Sequence, residues 1–157
     1  MFDTFYVFFF FQKSHFRYGF NSEGHEVVLG RVKELRSTEV GQKMVLGINL
    51  GKNKTSPRDS VEDYTRGVEV FAPHADYLVI NVSSPNTAGL RSLQEKSALD
   101  TLIKSVVKAR NEKTGCNAEA TRHPPILLKI APDLTIEDMK DVAKVALEVP
   151  AVNIALG

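Results

Sequence analysis

The chain has 157 residues, of which 43% are hydrophobic and 25% charged, and its formal net charge is +1. These values are typical of a globular domain with a hydrophobic core, and the near-neutral charge argues against a broad nucleic-acid-binding surface. The single cysteine, Cys116, excludes a disulfide framework, and the four histidines lack metal-ligand spacing, so we expect neither a metal nor a nucleic acid as partner.

The first sixteen residues differ in composition from the rest, because they hold seven of the nine phenylalanines. Their apolar run is too short to span a membrane, and no basic segment precedes it as in a signal peptide. The run shows neither helical nor strand periodicity. We therefore separate an atypical aromatic-rich segment, residues 1–16, from a domain over residues 17–157. A membrane-anchoring role is the functional alternative for the segment.

From residue 23 onward, helical and strand patterns alternate. Helices are predicted over residues 23–35, 60–71, 92–111 and from 135 to about 148. Strands are predicted over residues 44–50, 76–82, 125–131 and 151–156. The last three helices each begin at Ser or Thr with an acidic residue three positions later, the pattern of a capping box. These pairs are Ser60 with Asp63, Ser92 with Glu95, and Thr135 with Asp138.

Alternating strands and helices predict an α/β fold with a parallel sheet, either open and doubly wound or closed as a (β/α)8 barrel. Polar residues favour the barrel, because Asn49, Asn81 and Lys129 lie near the carboxyl ends of three different strands. An open sheet would concentrate its polar residues in one glycine-rich turn. We predict a partial (β/α)8 TIM barrel of about four βα units.

The glycine-rich stretch over residues 47–53 resembles a phosphate-binding P-loop only loosely. It has one residue too few between its glycines, and no Ser or Thr follows Lys52. We therefore reject the P-loop interpretation and expect Lys52 and Lys54 to be solvated loop charges.

A polar stretch from Asn81 to Thr87 follows an apolar strand. Burying so many amides and hydroxyls is unfavourable unless they are paired, and a planar ligand rich in C=O and N–H groups would pair them. A simple turn is the alternative, since Ser, Pro and Asn also form turns. Within this stretch, Ser84 is a candidate proton acceptor, provided that its loop closes and a relay activates it.

Lys129 interrupts an apolar strand, so it needs either an anion or a route by which its ammonium group reaches water. A reduced flavin is a suitable anion, because negative charge develops at its N1–C2=O side. Asn49 and Asn81 each offer donors and an acceptor, which suits the pyrimidine edge of a flavin or a substrate amide. A barrel lyase that uses Lys129 as a Schiff base is a further alternative.

Four segments, in order, resemble dihydroorotate dehydrogenase, and specifically its membrane-associated, quinone-using class. They are RYGFNS at 17–22, GINLGKNK at 47–54, DYLVINVSSPNT at 76–87 and LKIAPDL at 128–134. The resemblance covers about residues 17 to 150. It implies an FMN-containing (β/α)8 barrel that oxidises dihydroorotate to orotate in pyrimidine biosynthesis, with a quinone as electron acceptor.

The resemblance also implies roles for single residues. Ser84 would be the base that removes the C5 proton, while hydride from C6 passes to the flavin. A serine base favours the quinone class, because the soluble class uses cysteine there. By the same resemblance, Asn49, Asn81 and Lys129 would contact FMN.

The substrate site is implied in the same way. Asn81 and Asn86 would hold the orotate ring, and Thr87 would support the serine base. The remaining substrate-site residues implied are Arg17, Tyr18, Gly19 and Phe20.

The chain also departs from the family pattern. Phe16 stands where the family has a substrate-binding asparagine, and a closed barrel needs about 250 residues. The resemblance implies peripheral attachment to the mitochondrial inner membrane in a eukaryote, or to the inner membrane of a bacterium, although we recognise no targeting signal. A catalytically incompetent fragment of the enzyme, acting at most as a binding module, is the alternative.

Overall fold

The computed structural model describes residues 5–8, 23–57, 59–83, 96–115, 123–149 and 152–156. Five strands form one sheet: β1 (Phe5–Phe8), β2 (Gly47–Leu50), β3 (Tyr77–Asn81), β4 (Ile126–Ile130) and β5 (Val152–Leu156). Five helices accompany them: α1 (His25–Ser37), α2 (Glu39–Lys43), α3 (Glu62–Phe71), α4 (Lys96–Thr114) and α5 (Ile136–Glu148).

The strands are arranged in the sheet in the order in which they occur in the chain. Strands β2 to β5 are parallel, and β1 pairs with β2 in the antiparallel sense. Right-handed crossovers that always step the same way place the intervening helices on one face of the sheet, whereas a doubly wound sheet reverses its strand order. The parallel sheet therefore confirms the prediction of a partial barrel.

Alternate residues of the parallel strands point to two different faces. The outer face, which the helices cover, carries buried apolar side chains: Ile48, Leu50, Leu78, Ile80, Ile126, Leu128 and Ile130. They pack in one core with helix residues such as Tyr64, Phe71, Leu102 and Val145. Burial of each large apolar side chain contributes roughly 1.5–3 kcal/mol, so this face supplies most of the fold's stability.

The opposite face, here called the inner face, is mostly polar or partly accessible. Strand register places Asn49, Val79, Leu127 and Asn153 in one row, and Asn81, Lys129 and Ala155 in the next. At the start of β2, a Cβ on Gly47 would collide with the ring of Tyr77. The first glycine of the stretch that loosely resembles a P-loop therefore makes room for an aromatic ring.

The structure corrects the predicted start of helix α3, with its cap, and the predicted end of helix α4. Helix α3 begins at Glu62 without a capping box, because the Asp63 carboxylate instead accepts hydrogen bonds from Asn53. Helix α4 continues to Thr114, past the predicted end at residue 111. The predicted start of that helix at Ser92, and its box with Glu95, lie outside the described residues.

One further cap is confirmed, and two elements are present that the sequence analysis did not predict. The capping box between Thr135 and Asp138 is present at the start of α5. Helix α2 was not predicted, and it begins where the Thr38 side chain accepts a hydrogen bond from the Gly41 amide. Strand β1 lies in the aromatic-rich segment, for which we predicted no strand. The domain boundary between residues 16 and 17 stays a prediction.

Across the described helices, none has the length and apolar character needed to cross a membrane.

Candidate functional site

Three predicted site residues lie on the inner face, near the carboxyl ends of neighbouring strands. Asn81 of β3 pairs in register with Lys129 of β4, and Asn49 lies on the adjacent β2. Asn49 and Asn81 are 4% and 1% exposed, whereas Lys129 is half-buried. Parallel strands in register thus bring two buried amides and one cation to the same end of the sheet.

The side chain of Asn81 is held in a defined orientation. Its Oδ1 accepts hydrogen bonds from the backbone N–H of Ser83 at 3.0 Å and from the Ser83 hydroxyl at 2.9 Å. Its backbone carbonyl accepts a hydrogen bond from the Tyr64 hydroxyl, at 2.9 Å. Because an N–H group can only donate, the atom facing Ser83 is the oxygen, and Nδ2 is left for a ligand.

Lys129 is connected to the same group of residues. Its Nζ donates to Ser83 Oγ at 3.2 Å, and its backbone carbonyl accepts from the Val82 N–H at 3.1 Å. An ammonium group has three N–H donors, so two remain after the contact with Ser83.

The amide of Asn49 is different, because its buried Oδ1 has no hydrogen-bond partner among the described residues. An unpaired buried acceptor destabilises a protein by about 1–3 kcal/mol. A ligand N–H group would remove that penalty. A flavin pyrimidine ring has alternating C=O and N–H groups. Its C=O groups fit the donors of Asn81 and Lys129, and its N–H group fits the acceptor of Asn49.

The loop after β2 is tied to helix α3. Asp63 accepts from the backbone N–H of Asn53 at 2.9 Å and from its Nδ2 at 3.0 Å. Lys52 donates to the Ser60 carbonyl at 2.9 Å and is only 2% exposed, so our expectation of a solvated Lys52 is wrong. Burial lowers the pKa of Lys52, and the nearby carboxylates, including that of Asp63, oppose this effect. Lys54 is exposed, as predicted.

The remaining predicted site residues lie outside the described part of the chain, and their roles stay predictions. They are Arg17, Tyr18, Gly19, Phe20, Ser84, Asn86 and Thr87. Within the described ranges, no group of three or more His, Cys, Asp or Glu side chains is arranged to hold a metal ion.

Sequence reasoning assigned no role to two residues of this site. Ser83 follows Asn81 by two positions, and an Asn side chain often accepts from the backbone N–H two residues later, so this contact could have been expected. Tyr64 lies on a helix seventeen residues earlier, and no local pattern indicates that its hydroxyl reaches the end of β3.

Comparison with known proteins identifies the family. The family model described as dihydroorotate dehydrogenase matches residues 11–156. The chain belongs to the dihydroorotate dehydrogenase family. The match starts within the aromatic-rich segment and continues into β5, so it includes Asn49, Asn81 and Lys129.

Curated relatives carry the name of the quinone class. A mouse protein named dihydroorotate dehydrogenase (quinone), mitochondrial, is 50% identical over 137 residues, which cover 84% of this chain and 33% of the mouse protein. A Rhodopseudomonas palustris dihydroorotate dehydrogenase (quinone) is 50% identical over 130 residues, or 83% of this chain and 33% of that protein. The chain therefore spans about a third of the length of these relatives.

A solved structure agrees with the sequence comparison. DHODH from Eimeria tenella in complex with ferulenol matches with a TM-score of 0.76 and 37% identity, covering 87% of this chain and 40% of that chain. The sheet and helices therefore correspond to one part of a dihydroorotate dehydrogenase fold, and the predicted resemblance is confirmed.

Proposed function

We propose that the native polypeptide carrying these residues oxidises dihydroorotate to orotate, with FMN as cofactor and a quinone as final electron acceptor. The observation that supports this most directly is the unpaired Oδ1 of Asn49 on the same face, and at the same end of the sheet, as the donors of Asn81 and Lys129. This set of groups is complementary to a pyrimidine edge, and family membership supplies the reaction class.

Three described residues would hold the cofactor. Asn49 would accept a hydrogen bond from a ring N–H, and Asn81 would donate through Nδ2 to a carbonyl. Lys129 would place positive charge beside that edge, where its electrostatic effect exceeds that of a surface charge. FMN, when bound, supplies the acceptor for the hydride that leaves C6 of the substrate.

Residues outside the described part would complete the chemistry. Ser84 would take the proton from C5, and Thr87 would support that serine. Loss of the C5 proton and of the C6 hydride leaves the C5=C6 double bond of orotate. Asn86, with Asn81, would hold the pyrimidine ring, and the segment from Arg17 to Phe20 would line the substrate site.

The acceptor and the location follow from the same resemblance. The relatives' names specify quinone, and the mouse protein is named mitochondrial. A quinone dissolves in a membrane, so we propose peripheral contact with the mitochondrial inner membrane in a eukaryote or with the inner membrane in a bacterium.

The test uses the native polypeptide purified from its own source. We expect stoichiometric flavin absorbance and orotate formation that depends on an added short-chain quinone. Reduction of a nicotinamide cofactor by a colourless protein would contradict the proposal. Borohydride trapping of a substrate carbonyl on Lys129 would instead support the Schiff-base lyase.

A second experiment addresses the alternative of an incompetent fragment. A closed (β/α)8 barrel has eight parallel strands, and the described part of the chain contains four. In the described sheet, Ile154 on the outer face of β5 is 41% exposed, and Asn153 on its inner face is also exposed. We expect residues 1–157, expressed alone, to be poorly soluble, flavin-free and inactive. A soluble monomer with a cooperative melt and one bound FMN would overturn this expectation.

A further inference from the structure

Ser83 connects two ligand-facing side chains without itself being assigned a role by the proposed function. It is 8% exposed, and its hydroxyl lies 2.9 Å from Asn81 Oδ1 and 3.2 Å from Lys129 Nζ. We propose that Ser83 is a positioning residue, which orients the Asn81 amide and holds the Lys129 ammonium so that both present N–H donors to the ligand. The identity of that ligand rests on the proposed function.

The directions of these hydrogen bonds follow from the chemistry of the groups. Lys129 has donors only, so the Ser83 oxygen accepts from it. The single hydroxyl hydrogen is then available for Asn81 Oδ1, which also accepts the Ser83 backbone N–H. The chain of donors therefore runs in one direction, from Lys129 through Ser83 to Asn81.

This direction determines what the site can recognise. Asn81 Oδ1 is occupied by two donors, so its amide can offer only Nδ2 to a ligand. Lys129 likewise offers only N–H groups. These two residues therefore select a carbonyl-rich or anionic edge, and they disfavour a ligand that presents N–H groups at the same place.

The experiment measures the reduction potential of bound flavin and the affinity for orotate in the native holoprotein. The variants are Ser83→Ala, Ser83→Thr, Lys129→Ala and the double variant Ser83→Ala/Lys129→Ala. Ser105→Ala is the matched control, because it also removes one serine hydroxyl, on helix α4, which donates to the Thr101 carbonyl.

We expect Lys129→Ala to lower the reduction potential of the flavin, and Ser83→Ala to lower it by a smaller amount. The double variant should lower the potential by less than the sum of the two single effects, because part of the effect of Ser83 on the flavin passes through the lysine. Orotate should bind ~3- to 10-fold more weakly to Ser83→Ala, the usual effect of losing a neutral hydrogen bond. Ser83→Thr should restore both values, and Ser105→Ala should change neither.

Other results would overturn the inference while leaving the proposed function intact. One is a Ser83→Ala variant that melts at a lower temperature yet keeps its potential and its orotate affinity. Another is a double variant whose fall in reduction potential equals the sum of the falls in the two single variants. If Ser83→Ala loses its flavin, the Ser83→Thr variant provides the test. A flavin potential equal to that of the unsubstituted protein supports the role of the hydroxyl, and a different potential contradicts it. An unsubstituted protein without flavin would refute the proposed function itself.

Discussion

The two ends of the parallel strands use their polar groups in opposite ways. At the amino ends, Arg36 donates to the Asp76 carboxylate at 2.6 Å and to three backbone carbonyls, those of Gly41, Met44 and His74. The same Asp76 oxygen accepts from the Leu46 N–H at 2.7 Å. At the carboxyl ends, Asn49 keeps a buried oxygen without a partner in the described part of the chain.

Under the proposed function, this difference separates residues that stabilise the fold from residues that bind a ligand. Around Arg36, protein groups satisfy one another, so these contacts connect α1, α2 and the starts of two strands into one body. Around Asn49, Asn81 and Lys129, part of the hydrogen-bonding capacity remains for a ligand. Barrel enzymes in general bind substrates at the carboxyl ends of their strands and are stabilised at the opposite end.

The largest expected effect belongs to the carboxyl end. In the native holoprotein, Ser84→Ala should slow flavin reduction by dihydroorotate ~10²- to 10⁴-fold, the usual contribution of a positioned base. Stopped-flow absorbance measures this rate, and the melting temperature should not change. A near-normal rate would remove Ser84 from the proposed mechanism.

The amino end should show the reverse pattern. Arg36→Met should lower the free energy of unfolding by about 2–4 kcal/mol, because it removes the guanidinium donor from one carboxylate and three backbone carbonyls. Urea titration of the native protein gives this value. FMN affinity of the folded fraction should stay unchanged. Arg36→Lys is the control: it keeps the charge but cannot reach all four acceptors, so we expect an intermediate loss.

Asn49→Leu should change the stability of the fold and the affinity for FMN in opposite directions. Leucine is similar in size and removes the unpaired oxygen, so the unfolding free energy of the flavin-free protein should rise by about 1–2 kcal/mol. FMN affinity should fall ~10-fold, because the ligand N–H loses its hydrogen-bond acceptor. Fluorescence titration and urea titration measure the two quantities. A loss of both stability and affinity would contradict a ligand-binding role for this oxygen.

The smallest effect concerns Tyr64, which lies under the carboxyl end. Burial raises the pKa of its hydroxyl well above the ordinary value of 10.0, with a smaller contribution from Asp63. The unfolded chain therefore releases this proton first as pH rises, and stability is lost above pH 10 by up to ~1.4 kcal/mol per pH unit. Tyr64→Phe should remove this dependence of stability on pH. At neutral pH it should lower the unfolding free energy by about 1 kcal/mol, because the Asn81 backbone carbonyl loses the Tyr64 hydroxyl as its donor. Urea titration at several pH values checks both statements.

Residue patterns were sufficient for the parallel part of the fold. Apolar runs of strand length predicted strands β2 to β5, and helical spacing predicted helices α1 and α3 to α5. Strand-end positions predicted that Asn49, Asn81 and Lys129 share one end of the sheet. These predictions succeeded because apolar runs and helical spacing are local properties, and because the carboxyl ends of parallel strands meet at one edge of the sheet.

The failures involve partners that are distant in the chain. Asp63 has the right spacing for a capping box, but Asn53 competes for its carboxylate. Lys52 is buried because the Ser60 carbonyl lies within reach of its ammonium group. The role of Ser83 depends on Lys129, 46 positions later. Such pairings depend on the tertiary arrangement, and the spacing of residues along the chain does not specify them.

The antiparallel strand β1 has a consequence for assembly. It pairs with β2 over Gly47–Leu50, the edge that a further parallel strand of a closed barrel would need. Each N–H and C=O on that edge can serve only one neighbouring strand, so β1 and a closing strand exclude each other. Barrel closure, whether by more of the same polypeptide or by another one, would thus be a strand-exchange reaction whose first event is the release of Phe5–Phe8 from β2.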